Sequence, residues 1–439
     1  MVTMMEFFAS SLLTAIPLLG ALLSVRFWSD PKRVKTCSIA SSILTLALML
    51  GMAKFLPPLP TGLLPLYLLP LGALTSVLSH PLHEDHRFSW MVTLVCLGFG
   101  IGTLTGRDVS GSFFLMMLLV TIIALLYRHH TALWPMSWWG VGLLIFGLVC
   151  LGISMLTATP LSSIASLMTC AVLLPLAPFH GGYLTTVTRL PGNLPSFVVL
   201  LLPIIGLHQL SIILSTIPDD VISVVNVLAL VGALYSAVKA LAQSRVRLVL
   251  GYGSLSFFSI VWWFAATTMA TTPRTALLVG AIGLATSGLL IAWQVIRTRY
   301  GDDVDPQAIS GLAAAMPKYA VVLSLLGLAA MGIPPFGVFA GFMGLVLTSP
   351  QAPVFGLFLV LGAWLAASWY IMQLVQQLLF GASRPGLRYT DLLHPELISL
   401  VVVVLVLLAL GLIPSTLFGP EQAVQPQTTA FLESLAWRN

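Results

Sequence analysis

The sequence predicts an all-α polytopic membrane protein with about fourteen transmembrane helices. The first observation is composition: 58% of the residues are hydrophobic and 8% are charged, whereas soluble proteins carry about 25% charged residues. The second is the series of apolar runs long enough to cross a bilayer. The third is the placement of lysine and arginine between those runs, which is typical of membrane topology.

Fourteen candidate spans follow one another with short connections. They lie at 7–28, 36–56, 59–79, 88–106, 111–128, 137–157, 161–179, 195–216, 222–242, 246–270, 275–297, 317–347, 353–381 and 393–418. The first run is too long for a signal-peptide core and lacks a basic start, so we expect it to be retained as a span. The third is the weakest because five prolines open or interrupt it. The longest connections are predicted at 180–194 and 298–316.

Basic residues fall on alternate loops. The odd-numbered loops carry Arg26, Lys32, Arg33, Lys35, Arg87, Arg128, Arg189, Arg245, Arg247, Arg297, Arg299, Lys318, Arg384 and Arg388. The even-numbered loops carry only Lys54, Arg107 and Arg274. The positive-inside rule therefore places the odd loops in the cytoplasm and both termini outside.

Two spans are interrupted by proline pairs. Pro175 and Pro178 lie in LLPLAPFH near the end of the seventh span, and Pro334 and Pro335 lie in GIPPFGVF within the twelfth. Broken helices five spans apart suggest two inverted five-helix repeats, as in many transporters. Ordinary proline kinks are the alternative.

The repeats predict four regions along the chain. These are an N-terminal three-helix segment (1–87), a first repeat of spans 4–8 (88–216), a second repeat of spans 9–13 (217–381), and the last span with a short tail (382–439).

Composition also excludes several functions. The charge of +5 comes with no basic stripe interleaved with aromatic residues, so a nucleic-acid partner is not expected. The four cysteines are scattered and form no C-x-x-C pair, which disfavours a zinc site or an iron–sulfur cluster. No nucleotide fingerprint or catalytic triad appears. We therefore expect no catalytic residue, cofactor or metal in this chain.

Three stretches together resemble the antiporter-like membrane subunits of complex I, the Mrp cation/proton antiporters and the membrane-bound hydrogenases. They are LLPLAPFHGGYL (173–184), ALYSAVKALAQSRVRLVLGYGSLSFFSIV (233–261) and LAAMGIPPFGVFAGF (328–342). The resemblance covers roughly residues 90–420. The absence of a long lateral helix after the last span argues against the longest subunits of that superfamily.

The resemblance implies a row of ionisable groups at the middle of the membrane, through which protons move. The positions that match this row hold uncharged residues here: Met117 or Leu118, Leu173, Pro203 or Ile204, about Thr286, and Gly341 or Phe342. Leucine, methionine and phenylalanine offer no titratable site. We therefore expect the antiporter fold without the usual proton relay.

Three basic side chains remain as candidate proton-path or polar sites. His208 lies in the eighth span, either as a residual relay group or as a neutral imidazole bonded to a carbonyl near Pro203. Lys239 lies near the cytoplasmic end of the ninth span, where a lysine also snorkels. His180 belongs to the first break. Its alternative roles there are to relay protons, to cap the broken helix, or to hydrogen-bond with water in the loop.

Three functional hypotheses follow. The first is a membrane-arm subunit of a complex-I-like assembly, with a mainly structural or coupling role and with related antiporter-like subunits and lipids as partners. Its expected location is the bacterial cytoplasmic membrane. The second is an independent ion or solute transporter. The third is a membrane anchor for a soluble enzyme, such as one of inorganic-carbon uptake. The shortage of polar residues at mid-membrane disfavours the second hypothesis for ions.

Overall fold

The computed structural model describes residues 2–56, 59–106, 109–128, 138–157, 161–300, 309–348, 353–381 and 390–412. Every long regular element among these residues is an α-helix. The helices are α1 (Val2–Arg26), α2 (Pro31–Met52), α3 (Leu64–Ser79), α4 (Arg87–Thr105), α5 (Val109–Arg128), α6 (Trp138–Leu156), α7 (Leu161–Leu173), α8 (Gly181–Arg189), α9 (Leu194–Ile213), α10 (Asp219–Leu241), α11 (Val246–Thr268), α12 (Pro273–Tyr300), α13 (Leu312–Ala315), α14 (Pro317–Ala330), α15 (Gly337–Thr348), α16 (Val354–Leu379) and α17 (His394–Leu412).

The predicted all-α membrane fold is confirmed. In the described part of the chain, eleven helices are long and apolar enough to cross a membrane. The shorter apolar helices α3, α7, α14 and α15 fall within the third, seventh and twelfth predicted spans. The total of fourteen spans stays a prediction, as does the course of the last span beyond Leu412.

The predicted connection at 180–194 contains the nine-residue helix α8, which the sequence did not predict. Its sequence, GGYLTTVTR, is rich in glycine and threonine and therefore shows no apolar run. Packing against α6, α9 and α11 nevertheless stabilises it. The seventh predicted span, 161–179, thus contains α7 and the first proline break, and α8 follows directly after it.

The core of the bundle lies around α12, whose most apolar window is entirely buried. This helix packs against α3, α9, α11, α14, α15 and α17. The helices that bury less than half of their corresponding windows, and so lie toward the outer surface, are α1, α2, α5, α6, α10, α16 and α17. A helix that is apolar on every side, as α12 is, requires such a central position.

Corresponding helices of the two predicted repeats make corresponding contacts. In the first, α4 packs against α5 and α9, and α6 packs against both halves of the broken helix. In the second, α10 packs against α11 and α16, and α12 packs against both α14 and α15. This correspondence supports two five-helix units. Their limits and their inverted relation stay predictions.

The first break lies between α7 and α8, where Pro178 has no N–H to donate to the carbonyl of Leu174. The indole of Trp262, on α11, supplies the missing donor: its Nε1 lies 2.9 Å from the Leu174 oxygen, and both groups are buried. The Ala177–Pro178 peptide is cis. A carbonyl freed inside a membrane is therefore satisfied by a side chain of another helix.

The second break, between α14 and α15, repeats this arrangement. Pro335 cannot donate to the carbonyl of Met331, and Nε1 of Trp364 on α16 lies 2.8 Å from that oxygen. The hydroxyl of Ser368 lies 3.4 Å from the same oxygen. The Pro334–Pro335 peptide is cis. Both broken helices thus depend on one indole from a neighbouring helix.

In the described part of the chain, the first, third, seventh and ninth predicted loops lie together at one end of the bundle. The side chain of Arg87 donates to the carbonyl of Trp28 at 2.7 Å, and Lys35 donates to the carbonyls of Leu78 and His80. Arg247 donates to the carbonyl of Thr188 at 2.9 Å. These bonds support the alternating topology. Arg107, Arg384, Arg388 and Arg438 lie outside the described residues.

A buried ion pair fixes the last helix at this end. Arg299 of α12 meets Glu396 of α17 at 2.7 Å, with side chains only 9% and 5% exposed. Asp391 accepts bonds from the backbone N–H groups of Lys318 and Tyr319 at the start of α14. Lys35 is near enough to Glu396 to attract it electrostatically. These contacts tie α2, α12, α14 and α17 together.

The Trp262 bond can be tested by substitution. Trp262→Phe should lower the free energy of unfolding by about 1–3 kcal/mol, because it leaves the Leu174 carbonyl buried without a donor. Trp263→Phe is the matched control, since Trp263 is equally buried but its Nε1 has no partner among the described residues. Denaturation in detergent or nanodiscs would measure the free energy of unfolding of both variants. Equal losses would contradict the assigned role of Trp262.

The ion pair gives a second prediction. Glu396→Gln should destabilise the protein by about 3–5 kcal/mol, because the buried charge of Arg299 would lose its counter-ion and keep only hydrogen bonds to the carbonyls of Val295 and Asp391. Glu84→Gln is the control: Glu84 pairs with Arg87 at 2.8 Å but is 76% exposed, so a change of about 1 kcal/mol or less is expected. A thermal melt would measure the destabilisation caused by each substitution. A loss for Glu396→Gln no larger than that for Glu84→Gln would show that other groups stabilise the charge of Arg299.

Candidate functional site

The positions that match the family's ionisable row are packed with apolar side chains. Leu118, Leu173 and Phe342 are completely buried, and Ile204 is 2% exposed. The ring of Phe342 lies 4.2 Å from that of Trp364, centroid to centroid. Thr286 is the only hydroxyl at these positions, and it donates to the carbonyl of Ile282. No titratable group occupies the row.

Helices approach one another closely at two of these positions, Leu173 and Gly341. Gly206 of α9 lies against the backbone of Leu173 and Leu174, beside the first break. A Cβ on Gly341 of α15 would come within 2.8 Å of the Cα of Leu278 on α12. Small residues permit such backbone approach in membranes. Helix packing therefore fills the space around Gly206 and Gly341.

His208 is 5% exposed on α9, and its Nδ1 has no hydrogen-bond partner among the described residues. The hydroxyl of Ser211 donates to the carbonyl of His208 at 2.6 Å. Helix α9 packs on α3, α4, α7, α8 and α12. The expected bond from His208 to a carbonyl near Pro203 is therefore not seen at Nδ1.

The other two candidates, His180 and Lys239, both lie beside the aromatic ring of Tyr235. His180 lies at the N-cap of α8, but its side chain makes no capping hydrogen bond, so the capping hypothesis is wrong. Its ring contacts Tyr235 and Tyr252, at centroid distances of 5.9 and 6.0 Å. Lys239 is exposed in the last turn of α10, with Nζ 5.8 Å from the Tyr235 ring. This position at the helix end matches the snorkelling interpretation.

A cluster of hydroxyl groups was not anticipated. The hydroxyl of Tyr183 on α8 lies 2.8 Å from that of Ser254 on α11. Ser254, Thr286 and Tyr370 line one small cavity of about 20 Å³ between α11, α12 and α16. Of these three residues, only Thr286 is singled out by the sequence. The sequence prediction rests on ionisable side chains, and hydroxyl groups are not ionisable at physiological pH. This cluster joins the first broken helix to the second repeat.

The described residues contain no group of three or more histidine, cysteine, aspartate or glutamate side chains placed to hold a metal ion. Outside the spans, His80 is also buried, and burial together with the nearby His86 and Lys35 lowers its pKa to about 3. It is therefore a neutral imidazole at physiological pH.

The sequence pattern of one protein family matches residues 154–375, about half of the chain; its description is "NADH:quinone oxidoreductase/Mrp antiporter, TM". The chain is 27% identical over 250 residues to F(420)H(2) dehydrogenase subunit M of Methanosarcina mazei, covering 55% of this chain and 50% of that protein. It is 24% identical over 228 residues to NADH-quinone oxidoreductase subunit N 2 of Hydrogenobaculum sp., covering 50% and 48%. The chain thus spans about half the length of the curated relatives it matches.

Solved structures show the same fold over nearly the whole chain. A chain of respiratory complex I from Thermus thermophilus with bound NADH superposes with a TM-score of 0.80 at 19% identity, covering 97% of this chain and 99% of that one. A chain of the Mrp complex from Dietzia sp. superposes with a TM-score of 0.77 at 17% identity, covering 92% and 94%. The fold and the family match agree with the expected resemblance, and this chain belongs to the transmembrane family of NADH:quinone oxidoreductase and Mrp antiporter subunits.

Proposed function

We propose that this chain is a membrane-arm subunit of a complex-I-like assembly and that its role there is mainly structural or coupling. The observation that carries the proposal is that no position of the expected proton relay holds a titratable side chain, with Leu118, Leu173 and Phe342 fully buried. A proton path needs titratable groups or a continuous chain of ordered water within hydrogen-bond reach. The leucine and phenylalanine side chains at these three positions offer no site for a proton.

The relatives support membership of a larger assembly. Two are named as subunits, one of F(420)H(2) dehydrogenase and one of NADH-quinone oxidoreductase, and the similar structures are chains of respiratory complex I and an Mrp complex. Redox groups and proton-conducting subunits would then reside in other chains. The retained fold supplies a rigid block of helices that joins neighbouring subunits.

The proposed location is the bacterial cytoplasmic membrane, with both termini outside. The support is the bias of basic residues toward the odd-numbered loops, together with the hydrogen bonds that gather the first, third, seventh and ninth of those loops at one end of the bundle. Lipids cover the outer faces of helices such as α5 and α6 that other subunits leave open.

Co-purification tests the assembly. An affinity-tagged copy of the chain, extracted from its native membranes in mild detergent, should bring down other antiporter-like membrane subunits and the soluble subunits of an oxidoreductase. Mass spectrometry would identify them. A chain that purifies alone and exchanges an ion across liposomes would favour the independent transporter instead.

Substitution of the three residual basic groups tests the absence of a relay. His208→Leu, Lys239→Met and His180→Gln should leave proton translocation by the intact complex within about twofold of wild type, whereas loss of a proton-transfer group costs about 10²–10⁴-fold. Lys32→Met, at an exposed site on α2, is the control for Lys239→Met. A loss at His208 or His180 beyond tenfold, with normal assembly, would reveal a residual path.

A further inference from the structure

The hydroxyl of Tyr370 is an unusual group in this apolar core. Tyr370 is 3% exposed on α16, and its hydroxyl has no hydrogen-bond partner among the described residues. Its ring lies on Gly253 of α11, where a Cβ would come within 2.8 Å of the hydroxyl oxygen. A buried hydroxyl without a partner costs free energy, so such groups usually bond to protein or to ordered water.

The cavity beside Tyr370 has the size and the lining that a water molecule requires. Its volume of about 20 Å³ exceeds the minimum of about 10–15 Å³ for one water. Its polar lining includes the Tyr370, Ser254 and Thr286 side chains, and the remaining lining is almost entirely apolar. A buried water typically makes about three hydrogen bonds.

The hydrogen bonds already present determine which donor and acceptor sites remain on each hydroxyl. Thr286 donates to the carbonyl of Ile282, and Ser254 donates to that of Gly251. The Ser254 hydroxyl then accepts from Tyr183, so it keeps one further acceptor site, as does that of Thr286. Tyr370 has a free proton to donate. The cavity therefore presents one donor and two acceptors.

We propose that a single water molecule occupies this cavity, accepts a hydrogen bond from Tyr370 and donates to Ser254 and Thr286. All three hydroxyls and both water protons are then satisfied. Through Ser254 the water also joins Tyr183, so a chain of uncharged groups runs from the second half of the first broken helix to α12 and α16. The two repeats are linked by a polar connection that contains no charged group.

The direction in which Tyr370→Phe changes the melting temperature tests whether the cavity holds a water molecule. With the water present, Tyr370→Phe removes a donor and should lower the melting temperature of the full chain in nanodiscs. In a dry cavity the same change removes an unsatisfied hydroxyl and should raise it. Tyr319→Phe is the control, because the Tyr319 hydroxyl donates directly to the carbonyl of Ala292 at 3.3 Å; it should lower the melting temperature in either case.

A high-resolution map gives an independent result. The wild-type chain, in its native assembly, should show a solvent peak within hydrogen-bond distance of the Tyr370 hydroxyl, and Tyr370→Phe should weaken or remove that peak. Should the variant fail to fold, the wild-type map still decides the matter. A wild-type cavity without a solvent peak, or a higher melting temperature for Tyr370→Phe, would overturn the proposal.

Discussion

The two proline breaks impose the constraint on which this structure depends: a backbone carbonyl freed inside a membrane must find a donor within the protein. Trp262 and Trp364 meet that need, at 2.9 and 2.8 Å, for the carbonyls of Leu174 and Met331. Each indole comes from a helix outside its broken helix. The breaks therefore join α11 and α16 to the two broken helices, and a shift of either helix would leave a buried carbonyl without its donor.

These two bonds satisfy the carbonyls at the breaks with uncharged donors. Apolar side chains and close glycine contacts fill the space around Gly206 and Gly341. Removing buried charges also removes their desolvation cost. Among the described residues, the hydroxyl cluster is polar but uncharged, and the Arg299–Glu396 ion pair lies at the end of the bundle.

Much of the fold could be predicted from the sequence because long apolar runs and proline pairs are strong local signals. Both breaks lie where Pro178 and Pro335 predict them. Helix α8 was missed because its glycines and threonines show no apolar pattern. The Arg299–Glu396 pair joins residues 97 positions apart, and no local pattern predicts such a partner.

The site was predictable only in part, for a related reason. The sequence shows uncharged residues at Leu118, Leu173 and Phe342, the positions that the resemblance assigns to the expected row. The cluster of Tyr183, Ser254 and Tyr370 depends instead on three helices meeting, and tyrosine and serine are common elsewhere in the chain. His180 and Lys239 share the ring of Tyr235 for the same tertiary reason.

The central claim is that an antiporter fold persists here without a proton-conducting path. The most direct measurement is passive proton flux through the purified, folded chain in liposomes that contain a pH-sensitive dye, under an imposed pH gradient and membrane potential. The account predicts a rate equal to that of protein-free liposomes. A saturable flux well above that rate, carried by the folded chain alone, would contradict it.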